Sequence, residues 1–496
     1  VIFGREYRLV TQSTNSGEPV VLVPSLRNTR LLWAPDGKRY VITREGRVLL
    51  GSIADTSRRQ LAGPPSAARG AGAAETDTSA AARAERAKAR FSAIRWSPAG
   101  DAILASNSEG LWLVDLDGGR EMIVPLPDST SMAPRPSLTA WSEDGRYLYF
   151  AENSRTEWDR AITRYDRQTK QKEELVRGAR FFTGLRLSKD GSTAVLSVAE
   201  GNRPADLYVA DAKLGNLRRA VESNPQLARK PLARTELLSY LDADGEKRYG
   251  VLFYPTNYVE GTRYPTVFII YETFFDNSFD MVANLLAAHG YAVVKPSVGF
   301  EIGYPGEAWL KSVTAAANAV ISMGVADSAR LGVHGTSYGG YAVNLLVAQT
   351  DRFKAAINIS GKVDLISFYT DSPRLGVRNI HAAEKSQDRI GATLWEQPHK
   401  YIQHSAVMFA DRIKTPLLLL TGGQDHNVPA LNTREMYYAL RRLGKPVVWV
   451  NYVNGGHGTP TTNEVEFTDF YRRMLGWYDK YLKDNGAERV TDAASR

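Results

Sequence analysis

The 496-residue sequence contains no cysteine, which excludes disulfide bonds, a cysteine nucleophile and thiolate metal ligands. It also lacks an apolar run long enough to form a membrane-spanning helix. The net charge of +8 is scattered among acidic residues without a block of one sign, which argues against a nucleic-acid partner. The seven histidines are dispersed and no His-Glu-x-x-His helix is present, so we expect neither a metal site nor another cofactor.

The start of the chain also lacks a recognisable leader. It begins at Val1 in strand-like sequence, with no charged segment followed by an apolar one. Either a signal peptide has been removed or further sequence is missing, and we favour a periplasmic or secreted location over a cytoplasmic one.

A repeat in residues 1–225 predicts the blades of a β-propeller. Its copies begin at Trp33, Trp96, Trp141 and Leu187, and each reaches a glycine four residues later and then a β-rich run. The spacings are 63, 45 and 46 residues, and a period in the mid-forties with several strands per unit is typical of propeller blades. We expect a partial propeller of about four to five blades, because the chain starts partway through the pattern. A small closed propeller is the alternative.

The long first spacing contains a low-complexity insertion at 62–90. This stretch is rich in alanine, arginine, glycine and proline and has almost no large apolar side chain. Such a composition cannot bury a core, so we expect a flexible loop with a helix near 80–90.

Residues 226–496 have the pattern of an α/β-hydrolase domain. After a hairpin at 235–254, continuous apolar strands alternate with helices of 3.6-residue period. This alternation predicts a doubly wound, mostly parallel sheet that is covered on both faces. The predicted strands are 266–271, 291–295, 331–335, 355–359, 416–421 and 447–452.

A nucleophile elbow follows the third of these strands. The sequence from Gly335 to Gly339 is Gly-Thr-Ser-Tyr-Gly, between an apolar strand and an Ala/Leu/Val-rich helix. Gly-x-Ser-x-Gly in this context places a serine on a tight, strained turn above the sheet. Ser337 is therefore the predicted nucleophile.

An acid and a base occur at later strand ends in the order that this fold requires. Asp425 lies just past strand 416–421, and His457 lies in a glycine-flanked loop after strand 447–452. A serine hydroxyl needs a histidine base, and that base needs an orienting carboxylate. We expect His426 to be a surface residue and His334 to be packed beneath the elbow. The other histidines are interpreted as structural or surface residues: His289, His381, His399 and His404.

The oxyanion of an acyl-transfer intermediate needs two hydrogen-bond donors. The backbone N–H of Tyr338 is the first candidate, because it directly follows the nucleophile. The phenol of Tyr271, at the end of the first parallel strand, is the second candidate, and packing of this ring over the sheet edge is the alternative.

With these residues in place, the chain resembles the prolyl oligopeptidase family of serine peptidases, which join a β-propeller to an α/β-hydrolase. The most specific matching segments are 335–341, 422–429 and 455–458. The resemblance implies that Ser337, Asp425 and His457 form a catalytic triad and that Tyr271 helps to hold the oxyanion. The sequence is more similar to acylaminoacyl-, dipeptidyl- and glutamyl-type members than to strict prolyl endopeptidases.

Two segments near the expected site depart from the family pattern. Many relatives have a Gly-rich turn after the first parallel strand, where this chain reads Tyr-Glu-Thr-Phe from Tyr271. The Arg-Gly-Ser loop that is common after the next strand is replaced at 296–304. Relatives build an aromatic substrate pocket in the segment that here contains Phe368, Tyr369 and Trp395, although core packing explains these residues nearly as well.

The combined expectation is a serine peptidase that cleaves short peptides through an acyl-enzyme. The alternative is an esterase or acyl-amino-acid hydrolase, because the same triad hydrolyses esters. A third possibility, a scaffold with an inactive hydrolase half, conflicts with the complete triad. Short peptides are the expected partners, and a homodimer is left open.

Overall fold

The structure is a computed structural model of the chain. It describes residues 7–12, 17–65, 79–128, 131, 133–154, 157–272, 277–370, 380–458 and 463–483. Residues 66–78 of the predicted insertion lie outside the described residues. The part of the insertion that follows them forms a helix, α1, at Ala80–Ala89.

The chain divides into two compact units. The first comprises Val1–Ala199 and Ala205–Ser223, and the second comprises Glu200–Pro204 and Asn224–Arg496. A polar connector separates them, and a short 3-10 helix at Pro225–Arg229 begins the second unit.

The first unit is built from β-hairpins. A two-stranded antiparallel sheet, β1 (Leu9–Thr11) with β2 (Val20–Val23), comes first. Four sheets of four consecutive strands follow, each in chain order. The first has β3 (Arg30–Trp33), β4 (Arg39–Arg44), β5 (Arg47–Ser52) and β6 (Asp55–Ala62); the second has β7 (Ser92–Trp96), β8 (Ala102–Ser106), β9 (Gly110–Asp115) and β10 (Arg120–Pro125). The third has β11 (Ser137–Trp141), β12 (Tyr147–Asn153), β13 (Arg160–Asp166) and β14 (Lys172–Gly178); the fourth has β15 (Phe181–Leu187), β16 (Thr193–Glu200), β17 (Arg203–Asp211) and β18 (Arg218–Val221).

The repeated glycine terminates the same turn in all four sheets, between the first and second strands. Gly37, Gly100, Gly145 and Gly191 have φ angles of 66°, 69°, 73° and 72°. This left-handed region carries little penalty for glycine and a steric one for most other residues, which explains why the repeat has glycine there.

Each sheet of the first unit shares an apolar core with the next one along the chain. Val41 and Val48 of the first sheet pack with Ile103 of the second. Leu104 of the second sheet packs with Phe150 of the third, and Tyr149 of the third packs with Leu196 of the fourth. Consecutive four-stranded sheets that pack face to face are the arrangement found in β-propeller blades.

The second unit contains one eight-stranded mixed sheet. Its spatial order is β19-β20-β22-β21-β23-β24-β25-β26, and all pairs from β22 onward are parallel. The strands are β19 (Thr235–Leu241), β20 (Lys247–Phe253), β21 (Tyr264–Ile269), β22 (Ala292–Pro296), β23 (Ala326–Thr336), β24 (Ala355–Ile359), β25 (Leu417–Gly422) and β26 (Val447–Tyr452). Every residue of β24 and β25 is buried, as expected for strands with both faces covered.

Helices lie between the parallel strands of this sheet along the chain, and one more follows the last strand. They are α2 (Met281–Ala288), α3 (Pro305–Ser322), α4 (Tyr338–Gln349), α5 (Leu365–Thr370), α6 (Ile380–Lys385), α7 (Pro398–Gln403), α8 (Ala430–Arg442) and α9 (Glu464–Leu482). A 3-10 segment at Ala406–Arg412 leads towards β25. Within the described residues, no helix is long and apolar enough to cross a membrane.

One element boundary differs from the sequence-based expectation at a place that matters for the site. Strand β21 ends at Ile269, so Tyr271 lies two residues past the strand and not at its last position.

Glu435, on α8, is a partly buried carboxylic acid. Burial, together with the nearby Asp364 carboxylate, raises the pKa of Glu435 to about 7, although a hydrogen bond with Ser367 opposes this. Between pH 4.5 and 7 the folded protein therefore keeps a proton that the unfolded chain has lost. The free energy of unfolding falls as the pH rises through this window.

We expect Glu435→Gln to remove this part of the pH dependence. In the wild type, stability should decline across this window because the proton bound in the folded state is released as the pH rises. Thermal unfolding measured from pH 5 to 8 tests this, with Glu260→Gln at an exposed position as control. The same decline in melting temperature in the wild type and in Glu435→Gln would contradict the assignment.

Candidate active site

The turn between β23 and α4 holds Ser337 in a strained backbone conformation. Its φ is 59° and its ψ is −117°, a combination that costs a non-glycine residue about 1–3 kcal/mol. The Ser337 N–H donates to the carbonyl of Ile359 on β24 at 2.8 Å, and the Tyr341 N–H donates to the Ser337 carbonyl at 3.0 Å. These bonds hold the serine at the carboxyl edge of the sheet.

The two glycines of the motif allow backbones to approach more closely than a side chain would permit. A Cβ on Gly335 would lie 2.3 Å from the carbonyl carbon of Gly339. A Cβ on Gly339 would lie 2.2 Å from the carbonyl oxygen of Ile270. A larger residue at Gly335 would therefore force the two ends of the turn apart, and one at Gly339 would push the elbow away from the segment that follows β21.

The loops that follow β25 and β26 are joined to each other through their backbones. The Gly423 N–H donates to the Tyr452 carbonyl, and the Gln424 N–H donates to the Gly455 carbonyl, both at 2.8 Å. The Asp425 side chain is only 1% exposed, and its Oδ1 accepts the Asn427 N–H at 2.8 Å. One carboxylate oxygen is thus fixed by the backbone and the other is left for a side-chain partner.

That partner is His457, which connects all three predicted triad residues. Its Nδ1 lies 2.8 Å from Asp425 Oδ2, and its Nε2 lies 2.8 Å from Ser337 Oγ. A proton on Nδ1 satisfies the carboxylate and leaves the Nε2 lone pair facing the serine hydroxyl. In this geometry a neutral imidazole can accept the Ser337 proton as the oxygen attacks an acyl carbon.

Both predicted oxyanion donors belong to residues close to Ser337, since Tyr338 follows it in the chain and Tyr271 shares its cavity wall. Tyr338 is the first residue of α4, and the N–H groups of a first helical turn have no acceptor within the helix. The Tyr271 phenol lines the cavity at Ser337, and its oxygen accepts a hydrogen bond from Gln387 Nε2 at 3.0 Å. The rings of Tyr271 and Tyr338 meet edge to face, with centroids 6.3 Å apart.

A cavity of about 510 Å³ opens beside Ser337 and His457. Its wall includes four residues that the sequence analysis did not assign to the site: Asp280, Lys295, Gln387 and Asn427. Asn427 is the one of these with a local signal, since it lies two residues after Asp425 in the acid loop. The other three reach the cavity through the fold, and no motif marks them.

Asp280 and Lys295 form an ion pair in the cavity wall. Lys295 Nζ lies 2.8 Å from Asp280 Oδ2, and the two side chains are 9% and 21% exposed. Asp280 also caps α2 by accepting the Ala283 N–H at 2.9 Å. Although burial by itself raises it, these two partners hold the pKa of Asp280 below its ordinary value. The wall therefore carries a carboxylate and an ammonium close to the candidate nucleophile.

The remaining histidines lie outside the triad. His334 is buried beneath the elbow, where its Nδ1 lies 3.0 Å from the Tyr478 hydroxyl. Burial lowers the pKa of His334 to about 4, so the ring is neutral at physiological pH. His404 is buried beside Glu307, while His289, His381, His399 and His426 are exposed. Within the part of the chain that the structure describes, no group of three His, Asp or Glu side chains is placed to hold a metal ion.

The three aromatic residues proposed for a substrate pocket do not line this cavity. Phe368 is 2% exposed and lies under the Lys362 ammonium, 4.2 Å from its ring centroid. Tyr369 is buried against Tyr401, whereas Trp395 is 76% exposed. The substrate role of these residues stays a prediction.

The comparison with known protein families gives a match over part of the chain. The model of the prolyl oligopeptidase family, Peptidase_S9, matches residues 277–485, which contain Ser337, Asp425 and His457. Residues 277–485 of this chain thus match the prolyl oligopeptidase family.

Individual members of this family are similar to the chain at low identity. An uncharacterized peptidase, YuxL of Bacillus subtilis, is 27% identical over 321 residues, which are 61% of this chain and 47% of the relative. A dipeptidyl-peptidase 5 of Porphyromonas endodontalis is 24% identical over 341 residues, 64% of this chain and 47% of the relative. The chain thus spans about half the length of these curated relatives.

Solved structures show the same fold. A puromycin-hydrolyzing peptidase of Mycobacterium tuberculosis superposes with a TM-score of 0.72 at 19% identity, covering 94% of this chain and 71% of that one. Because this identity is low, the likeness concerns the fold alone.

Proposed function

We propose that this protein is a serine peptidase that hydrolyses peptide bonds of short peptides through an acyl-enzyme intermediate. The observation that carries the proposal is the pair of 2.8 Å contacts from His457 to Ser337 Oγ and to Asp425 Oδ2. An unassisted serine hydroxyl is a poor nucleophile at neutral pH, and this arrangement supplies the base it needs.

In the proposed reaction, Ser337 Oγ attacks the carbonyl carbon of the scissile bond while His457 Nε2 takes the hydroxyl proton. Asp425 stabilises the imidazolium that forms but is not itself protonated. His457 then returns the proton to the amine nitrogen, so that the amine leaves and an ester to Ser337 remains. A water molecule, deprotonated by the same histidine, hydrolyses this ester and regenerates the enzyme.

The negative oxygen of each tetrahedral intermediate is proposed to bind between the Tyr338 N–H and the Tyr271 O–H. The position of Tyr338 at the start of α4 supports the first donor, because the helix dipole also favours negative charge there. The position of the Tyr271 phenol in the wall of the Ser337 cavity supports the second. Donors fixed in advance act most strongly where charge develops.

The first unit is proposed to be a partial propeller of about four to five blades within residues 1–225, followed by a hydrolase domain at 226–496. The proposal is supported by four consecutive four-stranded sheets and by the packing of the β1–β2 hairpin against the first of them. In the family that the chain resembles, the propeller restricts access to the site, which supports short peptides as substrates.

The second candidate is an esterase or acyl-amino-acid hydrolase. It is favoured by a curated relative, the acylamino-acid-releasing enzyme of Sus scrofa, which is 24% identical over 375 residues, 70% of this chain and 50% of the relative. Values of kcat/KM on an aminoacyl-proline amide, a glutamyl amide, an acetyl-amino-acid amide and a simple acyl ester separate the candidates. A peptidase turns over at least one unblocked amide, whereas the alternative acts only on the ester or the acetylated substrate.

A fluorophosphonate probe should label Ser337 and no other serine, because only this hydroxyl is paired with a histidine base in the proposed site. Mass spectrometry of the labelled peptide checks the position. Ser337→Ala should abolish labelling, while Ser328→Ala at an exposed position should leave it unchanged. Undiminished labelling of Ser337→Ala would refute the assignment.

Replacing Tyr271 by phenylalanine should lower kcat far more than it changes KM. The loss of one oxyanion donor typically costs about 10² to 10³ in kcat, or about 3–4 kcal/mol of transition-state stabilisation. The ring and its packing against Tyr338 are kept, so the melting temperature should change little. If kcat holds within a few-fold and only the melting temperature moves, Tyr271 is a packing residue.

A further inference from the structure

Three consecutive residues, Gln387 to Arg389, contact the oxyanion side of the site from a loop that follows α6. Gln387 lies in the cavity wall, where its Nε2 donates to the Tyr271 hydroxyl oxygen at 3.0 Å. The same nitrogen donates to Glu272 Oε1 at 3.2 Å. The amide thus connects two neighbouring side chains just past the end of β21.

The chemistry of these groups determines the direction of each hydrogen bond. An amide nitrogen only donates, so the Tyr271 oxygen must be the acceptor in its bond with Gln387. A carboxylate only accepts, so the NH₂ end of Gln387, and not its carbonyl end, must face Glu272. With its acceptor role filled by Gln387, the phenol keeps its own hydrogen for a different acceptor. In the proposed reaction, that acceptor is the developing oxyanion.

Arg389 fixes the carboxylate that orients the amide. Its Nη2 lies 2.8 Å from Glu272 Oε2, and its Nη1 donates to the Tyr338 hydroxyl at 3.2 Å. The guanidinium lies 4.1 Å from the centroid of the Phe300 ring. The Arg389 carbonyl accepts the Gly303 N–H at 2.6 Å, which fastens the backbone of the loop. One cluster therefore contacts the side chains of both residues proposed to donate to the oxyanion.

Asp388, between these two residues, anchors the loop in the core. Its carboxylate is fully buried and forms an ion pair with Lys362, which is 6% exposed. The Lys362 ammonium lies 5.3 Å from the ring centroid of Tyr341 on α4. Since a buried ion pair requires close geometry, the backbone of Asp388 cannot shift without leaving a buried charge unpaired.

We propose that Gln387 is a positioning residue that aims the Tyr271 O–H at the oxyanion, with Glu272 and Arg389 holding its amide in place. This rests on the proposed function, because Gln387 has no effect on a reaction that does not use Tyr271. Donation to the phenol oxygen also polarises its O–H and strengthens the bond that this group donates.

A double-mutant cycle of Gln387→Met and Tyr271→Phe tests the proposal. Methionine is close to glutamine in size and cannot donate. With Tyr271 present, Gln387→Met should lower kcat by about 10-fold or more, within the 10² to 10³ attributable to one oxyanion donor, and should change KM less than about 3-fold. In the Tyr271→Phe background, the same substitution should change kcat less than about 2-fold, because no O–H is left to aim.

Two further variants keep the test decisive. Gln387→Glu preserves the shape but places a carboxylate next to Glu272 and the phenol, where it would attract the Tyr271 proton away from the oxyanion. It should therefore lower kcat by at least the amount expected for Gln387→Met. This variant also tests the proposal if Gln387→Met fails to fold. Gln403→Met is the matched control, since Gln403 Nε2 donates to Glu307 Oε1 at 2.7 Å outside the cavity, and its kcat should equal that of the wild type.

Equal effects of Gln387→Met with and without Tyr271 would overturn the proposal, as would a kcat within 2-fold of the wild type for Gln387→Met and Gln387→Glu. Fluorophosphonate labelling of Ser337 in each variant separates this failure from that of the proposed function. Retained labelling with additive effects rejects the role of Gln387 alone. If the probe does not label the wild-type protein, the proposed peptidase function is wrong, and this proposal fails with it.

Discussion

The close approach of backbones at the elbow is the constraint on which the site depends. Gly339 packs against the Ile270 carbonyl, and the Ser337 N–H bonds to the Ile359 carbonyl. These two contacts require β21 and β24 to flank β23 before the serine can take its strained conformation. A strained backbone conformation persists only where the surrounding contacts hold it in place. The parallel sheet is therefore the reason that a hydroxyl, a histidine and a phenol can meet at one edge.

Electrostatic organisation forms a second layer around this edge. Lys295 with Asp280 and Lys362 with Asp388 are buried or nearly buried pairs, and such pairs add little net stability because desolvation offsets their attraction. Their effect here is to fix the position of a loop. The Lys295–Asp280 pair holds the loop before α2 to β22, and the Lys362–Asp388 pair holds the loop after α6 to the segment that follows β24. Burial, and next the Asp388 carboxylate, raises the pKa of Tyr338 well above its usual value, so its phenol stays neutral beside Arg389.

The repeat shows where local sequence suffices and where it does not. Glycine at the left-handed turn and the β-rich run after it are both local signals, and the sheets at Trp33, Trp96, Trp141 and Leu187 could be predicted from them. Among the described residues, each sheet shares an apolar core with the next one along the chain, and contacts of this kind specify a stack and leave its length open. The number of blades depends on how the sheets close into a ring, and the turn motif carries no information about that closure.

The candidate site also has residues that local sequence predicts and residues that it does not. Ser337, Asp425 and His457 could be predicted because each follows a buried strand and has glycine close by, which makes its loop recognisable without a partner. Gln387 and Arg389 meet Glu272 across 115 and 117 positions of sequence, and their loop has no composition that marks it. An aromatic run gives the same signal for a core as for a substrate pocket, so burial of Phe368 and Tyr369 leaves their predicted substrate role untested. The candidate triad is thus predictable from short motifs, whereas the proposed aim of the Tyr271 hydroxyl depends on contacts that exist only after folding.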